Sequence, residues 1–158
     1  MNIDLKKNSQ IWRMFGLFFD LNKLINGDKE GKRTEEYWED LINASSAFYR
    51  AFGTLYALEL GLAFLDEVER RSKKEKRENR EIVQQEDFKN GKYKQMLVVF
   101  WGFQEKLNVP KNDIFWMKFD FKKNEFISQF AEYDKYAEKL MDILLKEKNI
   151  IEEASKII

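Results

Sequence analysis

The sequence contains no cysteine, no histidine and a single proline among 158 residues, and its seven glycines are dispersed. Without cysteine there is no disulfide framework and no thiolate metal site. Without histidine there is no imidazole ligand, no histidine general base, and no Ser-His-Asp or Cys-His triad. Carboxylates, lysines, tyrosines and hydroxyls are the side chains left for catalysis. The glycines form neither a G-x-x-x-x-G-K-[ST] nor a G-x-G-x-x-G pattern, which excludes the common phosphate-cradling loops. Long apolar runs are also missing: Leu55 to Leu65 is interrupted by Glu59, and Met96 to Phe103 is too short to span a bilayer. The opening MNIDLKKNSQ carries an acidic residue and no apolar h-region, so a cytoplasmic address with no membrane partner is expected.

Charge of one sign is lacking as well, since 28 basic residues balance 28 acidic ones. The balance is not uniform. Residues 1–68 carry a net −3, residues 69–94 a net +4 and residues 95–158 a net −1. What is abundant is apolar and aromatic surface, with 44% hydrophobic and 15% aromatic residues, which indicates a chain that folds around a core.

Helical periodicity accounts for most of the chain. Asn8 or Ser9 can cap a first helix that closes at Gly27, with Ile11, Phe15, Phe18, Phe19 and Ile25 on one apolar face broadened by Trp12 and Met14. Thr34 caps a second helix with Glu35 and Glu36 in its first turn, and Trp38, Leu41, Ile42, Ser45, Phe48, Tyr49 and Phe52 recur at helical spacing up to Gly53. Thr54 then starts a third helix whose segment Leu55–Leu65 is apolar on nearly every side, as expected of a central element. From Glu69 to Glu81 the chain reads ERRSKKEKRENRE, a charged extension or linker with nothing in it suited to burial. Met96, Val99, Phe100, Phe103 and Leu107 predict a helix ending before Pro110. Phe115, Met117, Phe119 and Phe121 alternate with Trp116, Lys118, Asp120 and Lys122, which admits a short strand near 114–121. A long helix is expected from about Asn124, with Asn149 capping a last short piece. The glycines inside helical stretches, Gly16, Gly61 and Gly102, read as close helix crossings.

The expected fold is therefore mostly α, a single-domain helical bundle of about five to six helices with a possible β segment near 114–121. Its parts are a helical half over 1–68, a charged segment over 69–91, and an aromatic-rich half over 92–158.

Few groups suggest chemistry. Glu59 is the lone charge between Gly53 and Asp66, readable as a general acid raised by burial or as a residue at the rim of a core helix. Asp66/Glu67 and Glu152/Glu153 are adjacent pairs that point to different faces of a helix, and carboxylate di-metal bundles use Glu-x-x-His pairs that this chain cannot supply. No catalytic residue, metal or cofactor is expected. Arg70, Arg71, Lys73, Lys74, Lys76, Arg77 and Arg80 are the candidate contacts to nucleic-acid phosphates, against a solvated helix whose interleaved glutamates pair with them. Between Phe100 and Phe121 seven of 22 residues are aromatic, too many for one inward face. Trp101, Phe115, Trp116, Phe119 and Phe121 are accordingly the candidate partner-binding surface, to be covered by a protein or a second copy of the chain.

IWRMFGLFFDLNKL, then EYWEDLINASSAFYRAFG with Tyr37, Trp38 and Glu39, then FLDEVERRSKKEKR with Glu69 to Arg71, resemble small helical proteins encoded by phages and other mobile elements of AT-rich bacteria. The resemblance covers the first half of the chain. Such proteins lack an assigned activity, so the resemblance implies a setting, the host cytoplasm, rather than a mechanism; with the missing catalytic chemistry and the surplus aromatics, the expectation is a non-enzymatic, macromolecule-binding protein, such as an inhibitor of a host defence nuclease of anti-CRISPR type. A nucleic-acid-binding accessory protein using residues 70–80 is the alternative.

Overall fold

The structure is a computed structural model and describes residues 9–78 and 91–156. Of these described residues 86% are helical and none is in a strand, so the fold is mostly α. The helices are α1 (Gln10–Asn22), α2 (Glu35–Phe52), α3 (Leu55–Glu78), α4 (Lys92–Gly102), α5 (Ile114–Met117), α6 (Phe119–Gln129) and α7 (Asp134–Lys156). They fall into two compact units, which divide at Gly91; one is built from residues 14–78, the other from residues 92–156 together with those up to Arg13. No helix among the described residues is long and apolar enough to cross a membrane.

Over residues 9–78, caps define the helices. The Ser9 hydroxyl, at the head of α1, accepts from the Trp12 amide at 3.2 Å. Thr34 accepts from the Tyr37 amide at 3.1 Å and Thr54 from the Ala57 amide at 3.2 Å, each satisfying a donor that the helix start leaves over. Gly53 closes α2 at φ 63°, a left-handed position that favours glycine, and α3 begins two residues later as the antiparallel neighbour of α2. The buried stripe of α1 is Met14, Phe18 and Leu21, continued by Ile25, while Trp12 is exposed; the expected face is thus rotated by part of a turn. Phe18 meets Phe48 of α2 with ring centroids 5.7 Å apart, and Leu41, Phe52, Leu60, Phe64 and Val68 complete the core. α3 is amphipathic rather than buried all round, since Leu55 and Leu62 are exposed.

Its charged end is held in place. The stripe that buries Phe64 and Val68 continues through Arg71 and Glu75, at the i+3 and i+4 spacing that keeps residues on one helix face. Arg71 donates to the Asn26 side chain at 2.9 Å, and Glu75 accepts from the guanidinium of Arg33, whose other terminal nitrogen donates to the Ile25 carbonyl. The Tyr37 hydroxyl beside them donates to the Leu24 carbonyl, and burial raises its pKa above the usual 10.0. So part of a run that sequence patterning assigns wholly to solvent is packed, because its charges find partners on the loop between α1 and α2.

In the unit of residues 92–156, α4 buries Tyr93, Met96, Leu97 and Phe100 and passes into a 3-10 turn, Phe103–Asn108, ahead of Pro110. The segment 114–121 is helical, not extended. Asp113 accepts from the Phe115 amide at 3.0 Å and starts α5, which closes with Lys118 N–H to the Ile114 carbonyl; α6 opens with Lys122 N–H to the Lys118 carbonyl, both at 3.0 Å, and Lys118 itself, at φ −108° and ψ 28°, breaks the two helices apart. A lone strand here would leave its ladder without a partner. The expected long C-terminal helix is two helices, since a 3-10 turn at Ala131–Tyr133 breaks the chain and folds α6 against α7. Lys123 of α6 donates to Asp142 of α7 at 2.7 Å, a bond that raises the lysine pKa above 10.5. α7 runs without interruption past Asn149, so no separate last piece exists.

Candidate functional site

The aromatic surface expected from the sequence is narrower than predicted. Phe115, Trp116 and Phe119 are only 4%, 6% and 5% exposed, and Trp101 is half-buried. The helical phase of α5 and α6 sends them inward, where edge-to-face and stacked ring contacts absorb them. Phe115 lies 5.3 Å from Phe103 and 4.9 Å from Trp116, and Trp116 stacks on Phe119 at 5.6 Å with the ring planes 17° apart. The Trp116 indole N–H donates to the Lys106 carbonyl at 2.7 Å, so its polar edge is satisfied inside the unit. Of the five candidates only Phe121 is fully exposed, at 62%.

The opposite phase of the same segment carries what sequence reasoning missed. Ile114 is 64% and Met117 72% exposed, and with Phe121 they are the three most exposed large hydrophobic residues described. Ile114 and Met117 lie one turn apart on α5, and Met117 and Phe121, on either side of the break at Lys118, border the same groove. The i, i+3 spacing of Ile114 and Met117 was the available signal, hidden because the period-two reading assigned Met117 to the same face as Phe115 and Phe119. Met117 and Phe121 border an open groove whose other walls are Trp116, Lys118, Phe119, Asp120 and Leu145.

Beneath Trp116 lies a second feature that the sequence did not announce. Lys148 of α7 is buried, and its ammonium donates to the Leu107 carbonyl at 3.1 Å and the Val109 carbonyl at 2.5 Å. It also pairs with Glu152 at 2.7 Å and sits 5.9 Å from the centre of the Trp116 ring. The lysine therefore caps the turn that Pro110 ends and anchors the indole from below. The bond from Lys148 holds the Glu152 carboxyl below its ordinary pKa of 4.5. Its ammonium thus ties the turn before Pro110 to α7 through both carbonyls.

The basic candidates are divided. Arg70 pairs with buried Glu67 at 2.9 Å, Arg71 holds Asn26, and Lys73 pairs with Glu69 at 3.1 Å. Lys74, Lys76 and Arg77 are exposed on the last turns of α3, and Arg80 lies outside the described residues. Lys73 and Lys76 also edge a groove between α2 and α3 floored by Trp38, Leu41, Ile42 and Leu65. Glu59 is half-buried on α3 and lines neither groove. Among the described residues no cluster of three or more carboxylates is placed to hold a metal ion.

No protein-family profile matches this chain, and no curated protein or solved structure matches it at a significant level.

Proposed function

We propose that this chain acts without catalysis, by binding another protein through the ridge formed by Ile114, Met117 and Phe121. The observation that carries the reading is that the three most exposed large hydrophobics fall within residues 114–121, two of them, Met117 and Phe121, bordering one groove. Contiguous exposed apolar surface of this kind marks interaction sites. A phenyl ring supplies a stiff anchor, and a methionine adapts to the opposing surface. Inhibition of a host defence nuclease, an anti-CRISPR type of activity that suits a phage or mobile-element setting, is the first function to assay. Wild-type protein is expected to bind and inhibit such a nuclease, and Phe121→Asp to lose both while keeping its helical circular dichroism. A folded Phe121→Asp variant that binds the same proteins as wild type overturns the reading.

The second reading is a nucleic-acid accessory role for Lys73, Lys74, Lys76 and Arg77, supported by the exposure of these four on adjoining turns at one end of α3. Retention on heparin at low salt, lost on charge reversal at Lys76 and Arg77, supports it; no retention sinks it.

A further inference from the structure

The chain has no cysteine, so its five methionines hold all of its sulfur. Burial separates them sharply. Met14 is 4% exposed and Met96 and Met141 are 0% exposed, each within the core of its own unit. Met1 lies outside the described residues. Met117, by contrast, is 72% exposed, the largest value for any large hydrophobic residue described. It ends α5 just before the break at Lys118 and stands at the edge of the groove that Phe121 also borders.

We propose that Met117 is a site of reversible oxidation, where a peroxide turns the thioether into a sulfoxide and so makes the apolar edge of the groove polar. As a modification site it stands on the exposure of Met117 and the burial of the methionines in the core. As a control on binding it rests on reading the ridge as a protein-binding surface. In the reaction a sulfur lone pair attacks one oxygen of hydrogen peroxide. The S–O bond forms as the O–O bond breaks, and the departing hydroxide takes up the proton that the transferred oxygen gives up, leaving as water. Sulfur loses two electrons and the peroxide gains them. The product is polar and chiral, and sulfoxide reductases return each epimer to the thioether. No thiolate in the chain competes for the oxidant. The core methionines are reached only when the helices that hold them open. Oxidation of Met14, Met96 or Met141 would disrupt a core, whereas oxidation of Met117 changes the surface and spares the fold. A partner docked on the ridge would then meet a sulfoxide oxygen in place of an adaptable apolar side chain and would have to desolvate it.

Dilute hydrogen peroxide added to the folded full-length protein, followed by peptide mass mapping over time, tests the inference. Met117 is expected to gain one oxygen roughly tenfold or more faster than Met14, Met96 and Met141. The oxidised protein should elute earlier than untreated protein from a hydrophobic interaction column, with its helical circular dichroism unchanged. Met117→Leu keeps an apolar side chain without sulfur, and its elution should not move under the same treatment. Met117→Gln supplies a polar, unbranched side chain and should elute with the oxidised wild type. Any partner whose binding depends on Phe121 should bind the oxidised protein roughly tenfold more weakly. Oxidation of Met14, Met96 or Met141 as fast as that of Met117, or a peroxide shift in Met117→Leu as large as in wild type, overturns the proposal. A sulfoxide that binds a Phe121-dependent partner as tightly as the thioether overturns the control on binding. If Phe121→Asp changes the binding of no protein, the ridge reading fails while selective oxidation at Met117 stands.

Discussion

Replacing Lys148 with methionine removes a buried ammonium while keeping an unbranched stem of similar length, so the change is one of hydrogen bonding rather than of cavity volume. Two carbonyls lose their donor: Leu107, in a buried residue, and Val109, in a half-buried one that water can reach. An interior carbonyl stripped of its partner costs about 1–3 kcal/mol, and an accessible one about half of that. Against this, the variant no longer holds a charge out of water, which returns about 1 kcal/mol. The net expectation is a loss of about 2 kcal/mol in equilibrium urea unfolding, with the slope unchanged. The Trp116 fluorescence should also shift, because the indole loses the cation 5.9 Å from its ring centre. Glu152→Gln is the control: it removes the partly exposed ion-pair partner and leaves both carbonyl bonds intact, so its loss should be clearly smaller. A Lys148→Met variant within about 0.5 kcal/mol of wild type would refute the capping role, as would a Glu152→Gln loss equal to it.

Glu152 gives a pH signature: its folded pKa lies below its ordinary value, so its stabilisation is present above about pH 4.5 and is lost as the pH falls through the lower folded value. Carboxyl NMR titration should place the midpoint below that of a free glutamate, and Lys148→Met should return it upward. Gly16→Ala and Gly61→Ala make the same chemical change with opposite results. A Cβ at Gly16 meets nothing within 4 Å and should stabilise by about 0.5–1 kcal/mol, whereas at Gly61 it lies 3.0 Å from the Ser45 hydroxyl oxygen and should cost about 1 kcal/mol. Adding Ser45→Ala should remove that penalty in a double-mutant cycle; additivity of the two changes would contradict the contact. Glu75→Gln leaves the buried Arg33 guanidinium without its counter-charge and should cost about 3 kcal/mol by chemical denaturation, whereas replacing both by methionine should cost less. A neutral Glu75→Gln would show that the pair does not hold the end of α3.

Three helix starts were readable from their hydroxyl caps. Ser9, Thr34 and Thr54 stand where hydroxyl caps are expected, and Gly53 takes the left-handed position its lack of a Cβ suits. Where no such residue marks a boundary, the reading failed. The turn at Ala131–Tyr133 contains neither proline nor glycine, and apolar residues at helical spacing run straight through it. Residues 114–121 failed for another reason, since alternation of aromatics satisfies a strand period and a helical stripe at once, and Asp113 as a cap is what separates them. Of the internal glycines Gly61 alone sits at a tight crossing; a Cβ at Gly16 or Gly102 would meet open space. In the candidate site Phe121 was legible as surplus aromatic surface, but Ile114 and Met117 were not, because apolar residues read as core by default. Lys148 follows Leu140 and Leu144 on the buried stripe of α7, so a charge in an apolar register was the available clue. Arg71 and Glu75 give the same clue on α3. A run of charges can carry a buried stripe when its partners lie in another part of the chain, and nothing local records where those partners are.

The anchoring of α3 has a consequence for how the protein opens. A helix end made of arginine, lysine and glutamate normally frays turn by turn, with amide protons that exchange quickly and independently. Here Arg71 and Glu75 are tied to Asn26 and Arg33, 45 and 42 positions earlier in the chain. Loosening the last turns of α3 therefore requires release of the loop between α1 and α2. The two segments should exchange their amide hydrogens together, as one cooperative unit, with the charged end of the helix protected for as long as that loop stays docked.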